Sequence, residues 1–514
     1  MITIVILQES ITLQDPAAGW KVNYGFWIRV ALLVGFSAPT MATQLRYLVE
    51  GVVISSRQLL FITASMVVVY TAATLLVAAT TVFPIPFQVL SMSFVYFSLL
   101  IVAVVAAVGR NGLNAMLSHT NELARCVCYM SSQLLVAVAY PAYQALFNAA
   151  VKTRYELLVF LLLPGIKIVL KNFVALSMTH MEDIIPESVI FTVDFFNSLY
   201  LATCMQSASS TTSVVVIVAI DLVQNALALT ELHRSTRSIL ARLREVLPGQ
   251  ESDDLVAALC TLCRSPAPLE DHPVVRLTTQ SCLPHRLSMA DREMVVKRQN
   301  DPLEEQVVPL KLSSSPSLAE MLESRPAKVF KSRSKAWLCR SRRRHSSSIT
   351  PMGSQPRLTQ RRQISVDFQQ ALLSKRAAVL RDVLEVLFTC ECLVLTEYVE
   401  AVIPALYGMY ILLMVHLPSA RYHNELVGVT QETIGDTVHS IFVYALLEAG
   451  SFALLSVLML RNCGMRALYQ LSFVLETQAS LIQGKLVMWM LMTLTYRVVH
   501  FGVDFTFTFA WIGG

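Results

Sequence analysis

The sequence predicts an all-α polytopic membrane protein with about ten transmembrane helices in a seven plus three arrangement around a large cytosolic loop. Three observations carry that expectation. Of 514 residues, 54% are hydrophobic and 15% charged, with a mean hydropathy of +0.54, the balance of a chain embedded in a bilayer rather than dissolved around its own core. Apolar stretches recur that approach the roughly 20 residues a helix needs to cross the hydrocarbon, where the backbone must satisfy its own hydrogen bonds. Between two such blocks lies a polar stretch, Leu232 to Arg376, with a formal charge of +11 against −6 for everything outside it.

The elements follow in order. Residues 1–25 form an N-terminal segment; Met1 to Leu7 is apolar but short and lacks a basic start, so an uncleaved first span is expected to serve as the insertion signal. The membrane block 26–231 holds seven expected spans: Phe26 to Leu45, Leu59 to Val82, Gln88 to Val108, Met130 to Ala149, Leu157 to Leu176, Ser188 to Met205 and Thr212 to Leu229. Phe83-Pro84-Ile85-Pro86-Phe87 sets a tight turn between the second and third. The fourth is interrupted by Ser131, Ser132, Gln133, Pro141 and Gln144, and crosses the bilayer, lies on its surface or lines a cavity. After the loop, 232–376, an amphipathic helix at 377–398 leads to the second block, 399–514, with spans Val399 to Leu417, Val438 to Leu460 and Leu486 to Phe505.

A basic loop stays on the cytoplasmic side. Counting back from it places Arg46 with Arg57, and Arg110 with Arg125, inside and both termini outside, whereas Lys152, Arg154, Lys21 and Arg29 fall on the outer side and oppose that count. Within the loop, Leu232, Ile239, Leu240, Leu243 and Leu247 recur at helical spacing, while Ser265 to Gln363 is too rich in Pro, Ser, Arg and Lys for a packed core and reads as disordered. The ten cysteines show no disulfide framework and no Asn-x-Ser/Thr sequon occurs.

Polar residues at membrane depth are the strongest site candidates, because a charge there is costly and faces a partner or a cavity. Asp194 and Asp221 lie 14 and 13 residues from the hairpin tip near Ala208, hence at nearly equal depth for a rise of about 1.5 Å per residue. Asn197 follows Asp194, and Gln224 and Asn225 follow Asp221, on polar faces that can form one substrate or ion pathway. Lys167 and Lys171 fall at a comparable depth in the fifth span, which predicts a Lys to Asp pair. Pro164-Gly165 just before them is expected to kink or interrupt that helix, as transporters do near a midplane site. The competing reading is that these charges pair architecturally. Glu448, Arg497, His500 and Asp504 are further polar entries, the last three near a helix end where side chains snorkel.

No enzyme is expected. Two intramembrane aspartates suggest an aspartyl protease, but Val218, Ala219 and Ile220 precede Asp221 where that family places glycines, and no hydrolase, metalloprotease, Walker or dinucleotide motif occurs. No cofactor is expected. Cys260, Cys263, Cys282 and His285 have zinc-compatible spacing, but the first two sit on an apolar run where cysteine behaves as a small hydrophobe. Ser346, Ser347 and Ser365 follow arginines and are candidate phosphorylation sites for a basic-directed kinase. The cluster Lys328 to Arg344 suits anionic lipids of the inner leaflet, released on phosphorylation, rather than nucleic acid.

The passages Cys204-Met205-Gln206-Ser207-Ala208-Ser209-Ser210 running into Asp221, Phe473-Val474-Leu475-Glu476, and His500-Phe501-Gly502-Val503-Asp504-Phe505-Thr506-Phe507 resemble an expanded set of multi-pass membrane proteins of oomycetes. The resemblance covers both membrane blocks and not the loop, and implies a membrane protein without an assigned activity or functional residues to carry over. Expected function is therefore transport or a channel-like activity, with the polar site among helices five to seven and a phosphorylatable loop. The alternative is a receptor or scaffold whose loop recruits cytosolic protein partners. The expected partner is the lipid bilayer, of plasma membrane or endomembrane.

Overall fold

A computed structural model describes residues 2–49, 52–151, 153–178, 188–207, 211–246, 357–509 and 511. Apolar periodicity becomes helix throughout: α1 Ile2–Glu9, α2 Tyr24–Leu48, α3 Ser56–Thr80, α4 Gln88–Ser91, α5 Ser93–Ser118, α6 Thr120–Ala150 and α7 Glu156–Ser177. A π-helical turn, Ile190–Asp194, leads into α8 Phe195–Ser207, followed by α9 Thr211–Val246, α10 Arg357–Met414, α11 Ile434–Cys463, α12 Ala467–Thr477 and α13 Ala479–Thr495. Among the described residues there is no strand, only an isolated bridge between His423 and Val498.

Six of these helices contain segments long and apolar enough to cross a membrane: Tyr24–Leu48, Ser56–Thr80, Ser93–Arg110, Thr120–Ala150, Glu156–Ser177 and Thr437–Arg461. The protein is an all-helical membrane protein with several such helices. Segment 130–149 lies inside one of them despite its polar interruptions. The span expected at Gln88 to Val108 is instead a short α4 followed by α5, which breaks at Gly109, φ 72°.

Burial sorts the helices into shells. Every residue of α8 from Phe195 to Met205 is buried, as a helix without a polar stripe requires. Around it pack α6, α7, α10, α11 and the π turn, and α13 closes against the π turn and α6. Tyr140 of α6 stacks on Phe196 and Tyr200 of α8 with ring centroids 5.8 and 5.7 Å away, and Phe196 meets Trp489 of α13 edge-on. By contrast α3 and α5 present Leu60, Val68, Leu76, Phe94 and Val102 outward, apolar surface suited to lipid. Ser55 and Gln58 cap α3 reciprocally, satisfying donors at its start.

Several expected boundaries shift. The helix expected to end at Leu229 continues as α9 to Val246, and the separate amphipathic helix at 377–398 is part of one 58-residue helix, α10. Helix propagation needs one new hydrogen bond per residue and no fresh nucleus, so a change from apolar to polar composition does not end it. Pro164 and Gly165 do not interrupt α7, which runs through them to Ser177; the irregular backbone is the π turn before Asp194. The last span, expected to reach Phe505, ends at Thr495, and Arg497, His500 and Asp504 follow in turns. Cys260, Cys263, Cys282, His285, Ser346 and Ser347, with the Ser265 to Gln363 stretch up to residue 356, lie outside the described residues. Ser365 and Asp221 fall on helices whose backbone alone is described there.

The C-terminal turn is fastened by Gly502, at φ +62°, which accepts a hydrogen bond at its carbonyl from Phe87 N at 2.9 Å. A Cβ there would lie 2.2 Å from the Ile85 carbonyl oxygen. Gly502→Ala is therefore expected to destabilise the protein by roughly 1–3 kcal/mol, a combined backbone and steric penalty. A lowered unfolding midpoint in detergent checks this, and an unchanged midpoint would refute the role of the turn.

Candidate functional site

The centre of the bundle is charged. Asp194 closes the π turn with its side chain fully buried. Lys171 and Lys167, four residues apart on α7 and so on one face, approach its Oδ1 at 2.7 and 3.3 Å. Lys167 also bonds Glu400 of α10, bridging two carboxylates. Thr396, one turn before Glu400, lies with its hydroxyl 3.5 Å from Asp194 Oδ2.

Glu397 and Glu400 of α10 and Glu448 of α11 are all buried, with one carboxylate oxygen of each within 4.8 Å of the others. Ser451 donates to Glu397 at 2.7 Å, and Asn225 of α9 donates to Ser451 at 3.2 Å. Like charges this close in a low-dielectric interior do not all stay ionised without a proton, an ammonium or a metal cation among them. The donor set is all oxygen, the chemistry of hard cations such as Mg²⁺, Ca²⁺ or Mn²⁺. The cluster thus joins α7, the π turn, α9, α10 and α11.

Of the residues expected in the pathway, the structure brings together Asp194, Lys167 and Lys171, and joins Asn225 through Ser451 and Glu397. Asn197 is buried on α8, one turn beyond Asp194, with its Oδ1 unpartnered among the described residues. Gln224 does not take part; it is exposed, because adjacent positions on a helix point about 100° apart and Asn225 holds the inward one. In the sequence Glu397 and Glu400 fall at the boundary of the eighth apolar span, which begins at Val399, and so do not stand out as intramembrane charges. Their signal was two glutamates three apart inside the run Leu393 to Ile403.

A second charged group closes the opposite end of α2, α10 and α13 from the loop. Arg29 pairs with Glu9 at 2.7 Å, and His423 Nε2 meets the same carboxylate at 2.9 Å, all three fully buried. Arg497, expected to snorkel, is instead buried against Glu425 and donates to Thr203 at 2.9 Å. His500 meets the Gln14 carbonyl through Nε2 at 2.6 Å and stacks on Phe26. Asp504, expected near the end of the tenth span, instead lies nine residues beyond the end of α13, and hydrogen bonds from Thr506 and the Phe509 backbone pull its carboxyl down to about 2.

Burial pushes His500 down to about 4 from an ordinary 6.5. Burial alone would raise Glu9, but its hydrogen bond to His423 and the charges of His423 and Arg29 outweigh that and hold it below 4.5. The unfolded chain then protonates His500 first, so its contribution is intact above pH 6.5 and is lost as pH falls towards about 4. Glu9 adds a loss in the same direction below 4.5. The unfolding midpoint is expected to drop over that interval, and His500→Phe to flatten its upper part; a variant tracking the wild type throughout would refute this.

Breaking a buried pair leaves an uncompensated charge, so Asp194→Asn is expected to destabilise by about 3–5 kcal/mol. Adding Lys171→Met should recover part of that loss. Unfolding midpoints of the single and double variants measure the coupling, and strict additivity would show there is none.

The fold and site together define an all-helical, multi-pass class of membrane protein with a charged interior. Comparison with known protein families, with curated proteins and with solved structures finds no match for this chain.

Proposed function

We propose that the chain is a transport or channel-like membrane protein whose pathway passes the cluster of Asp194, Glu397, Glu400 and Glu448, moving or being driven by protons or small cations. The observation that carries this reading is Lys167, an ammonium shared between Asp194 and Glu400 beside three mutually close buried carboxylates. An incoming cation or proton competes with that ammonium for the same oxygens, which is how ion binding can be linked to rearrangement of packed helices. The π turn supports it, since such turns interrupt regular helix hydrogen bonding and occur often at functional sites. The basic loop, with Ser346, Ser347 and Ser365 as kinase targets, is its regulator and contacts anionic lipid.

A receptor or scaffold is the second reading, favoured by the pairing of Lys167, Lys171, Asp194 and Glu400 with one another, as an architectural core would have them. Cysteine labelling separates the two. In a background without native cysteines, Asn197→Cys, Asn225→Cys and Glu448→Cys are expected to react in membranes with a small water-soluble thiol reagent. If all three stay unlabelled in folded protein, the interior is dry and the scaffold reading replaces transport.

A further inference from the structure

Lys485 of α13 is 1% exposed, as deeply placed as the residues of the acid cluster, yet its ammonium meets no carboxylate among the described residues. It donates to Tyr129 Oη of α6 at 2.8 Å and to Ser188 Oγ, just before the π turn, at 3.4 Å. The Tyr129 ring centroid lies 5.4 Å away. An ammonium has three N–H donors, and two hydroxyls neutralise none of its charge. Buried charges are paired as a rule, because hydroxyls replace water poorly.

The surrounding side chains share this deficit. Gln133, one turn from Tyr129 on α6 and fully buried, has neither amide atom hydrogen-bonded. Gln44 of α2, 1% exposed, likewise has neither amide atom bonded. It stands one turn from Thr40, whose hydroxyl is 2.9 Å from where a Cβ on Gly484 would lie, so it shares the face of α2 that meets the Lys485 turn. Trp489, one turn along α13 from Lys485, is 1% exposed and its indole N–H has no acceptor. Buried polar groups left unmet are infrequent, and each calls for an explanation. Here α2, α6 and α13, which pack against one another, each carry unmet polar groups within one or two turns of the contacts around the Lys485 ammonium, and the indole N–H can only donate.

We infer that this junction binds a small monovalent anion, chloride or a short carboxylate, with Lys485 as its charge partner and the Gln133, Gln44 and Trp489 N–H groups as donors. One ammonium balances one negative charge, so a phosphate dianion would leave a charge uncompensated. Access is short: Ser480 is exposed and its hydroxyl faces Tyr47 Oη at 3.5 Å, five residues, or about 7.5 Å along the helix, before Lys485. The inference is independent of the acid cluster and of the transport reading.

The test uses the full chain, purified in detergent in a gluconate buffer and titrated separately with chloride, acetate and inorganic phosphate while unfolding midpoint and tryptophan emission are followed. Expected is a saturable rise in midpoint with chloride or acetate, which also says which anion the site prefers, retained in Lys485→Arg and absent in Lys485→Met. Gln133→Leu, which keeps the Lys485 charge, is the second variant that guards against a folding defect in Lys485→Met, and is expected to weaken the apparent affinity by about tenfold, the loss of one hydrogen bond to a charged partner. No saturable rise in the wild type, an equal rise in Lys485→Met, or an unchanged affinity in Gln133→Leu would overturn the site. Tighter saturation by phosphate than by either monovalent anion would overturn the assignment of charge.

Discussion

A buried carboxylate is costly to keep ionised unless a positive charge is held at contact, and in this protein that carboxylate is Asp194. It sits at the end of the π turn, at the head of α8, which is buried on every side from Phe195 to Met205. Two lysines of α7 reach it, and one reaches on to Glu400 of α10. The pairing fixes the depth of α7 against α8 and ties the post-loop α10 to the pre-loop block. Apolar packing alone discriminates weakly between helix registers in lipid, where neighbouring tails are as apolar as leucine. Charge contacts at fixed positions supply the register that leucines do not.

The end of the bundle away from the loop obeys the same constraint as the centre with different chemistry. There Glu9, Arg29 and His423 close a buried triad, and Arg497 meets Glu425 while resting 4.9 Å from the Tyr407 ring. Arginine suits these places because its planar guanidinium offers several donors at once and stays charged. Lysine, a compact single charge, is used in the centre and at Lys485, where an ammonium is shared or incompletely matched. Binding events that exchange one charge for another are easier at such points than at a multiply bonded guanidinium.

Sequence reading reached the centre of the site by arithmetic on helix rise: Lys167, Lys171 and Asp194 were expected at one depth, and they meet. It did so because the fifth and sixth helices share a nearby connection, which keeps depth errors small. A hydropathy ruler trims a span near its first charges, which leaves Glu397 outside the expected eighth span and Glu400 at its edge, whereas a packed interior accepts charges that other helices compensate. Gln224 and Asn225 are adjacent, and periodicity without a partner helix cannot say which one faces inward. Lys485 is hard to read from sequence for a related reason. It lies at the rim of the expected tenth span, where a lysine ordinarily snorkels, and only the packing of α2 and α6 over it shows that it does not.

The π turn joins what otherwise look like separate features. Ser188, which takes a hydrogen bond from Lys485, stands two residues before it, and Asp194, which takes both lysines of α7, is its last residue. Six residues, about 9 Å of helix, separate the two contacts. A π turn carries one residue more than an α-turn of the same span, so a register shift within it moves one contact without unwinding the helix beyond. Contacts from the Lys485 ammonium and from the α7 lysines thus fall at the two ends of one irregular segment, which ties α13 and α7 to the same stretch of backbone.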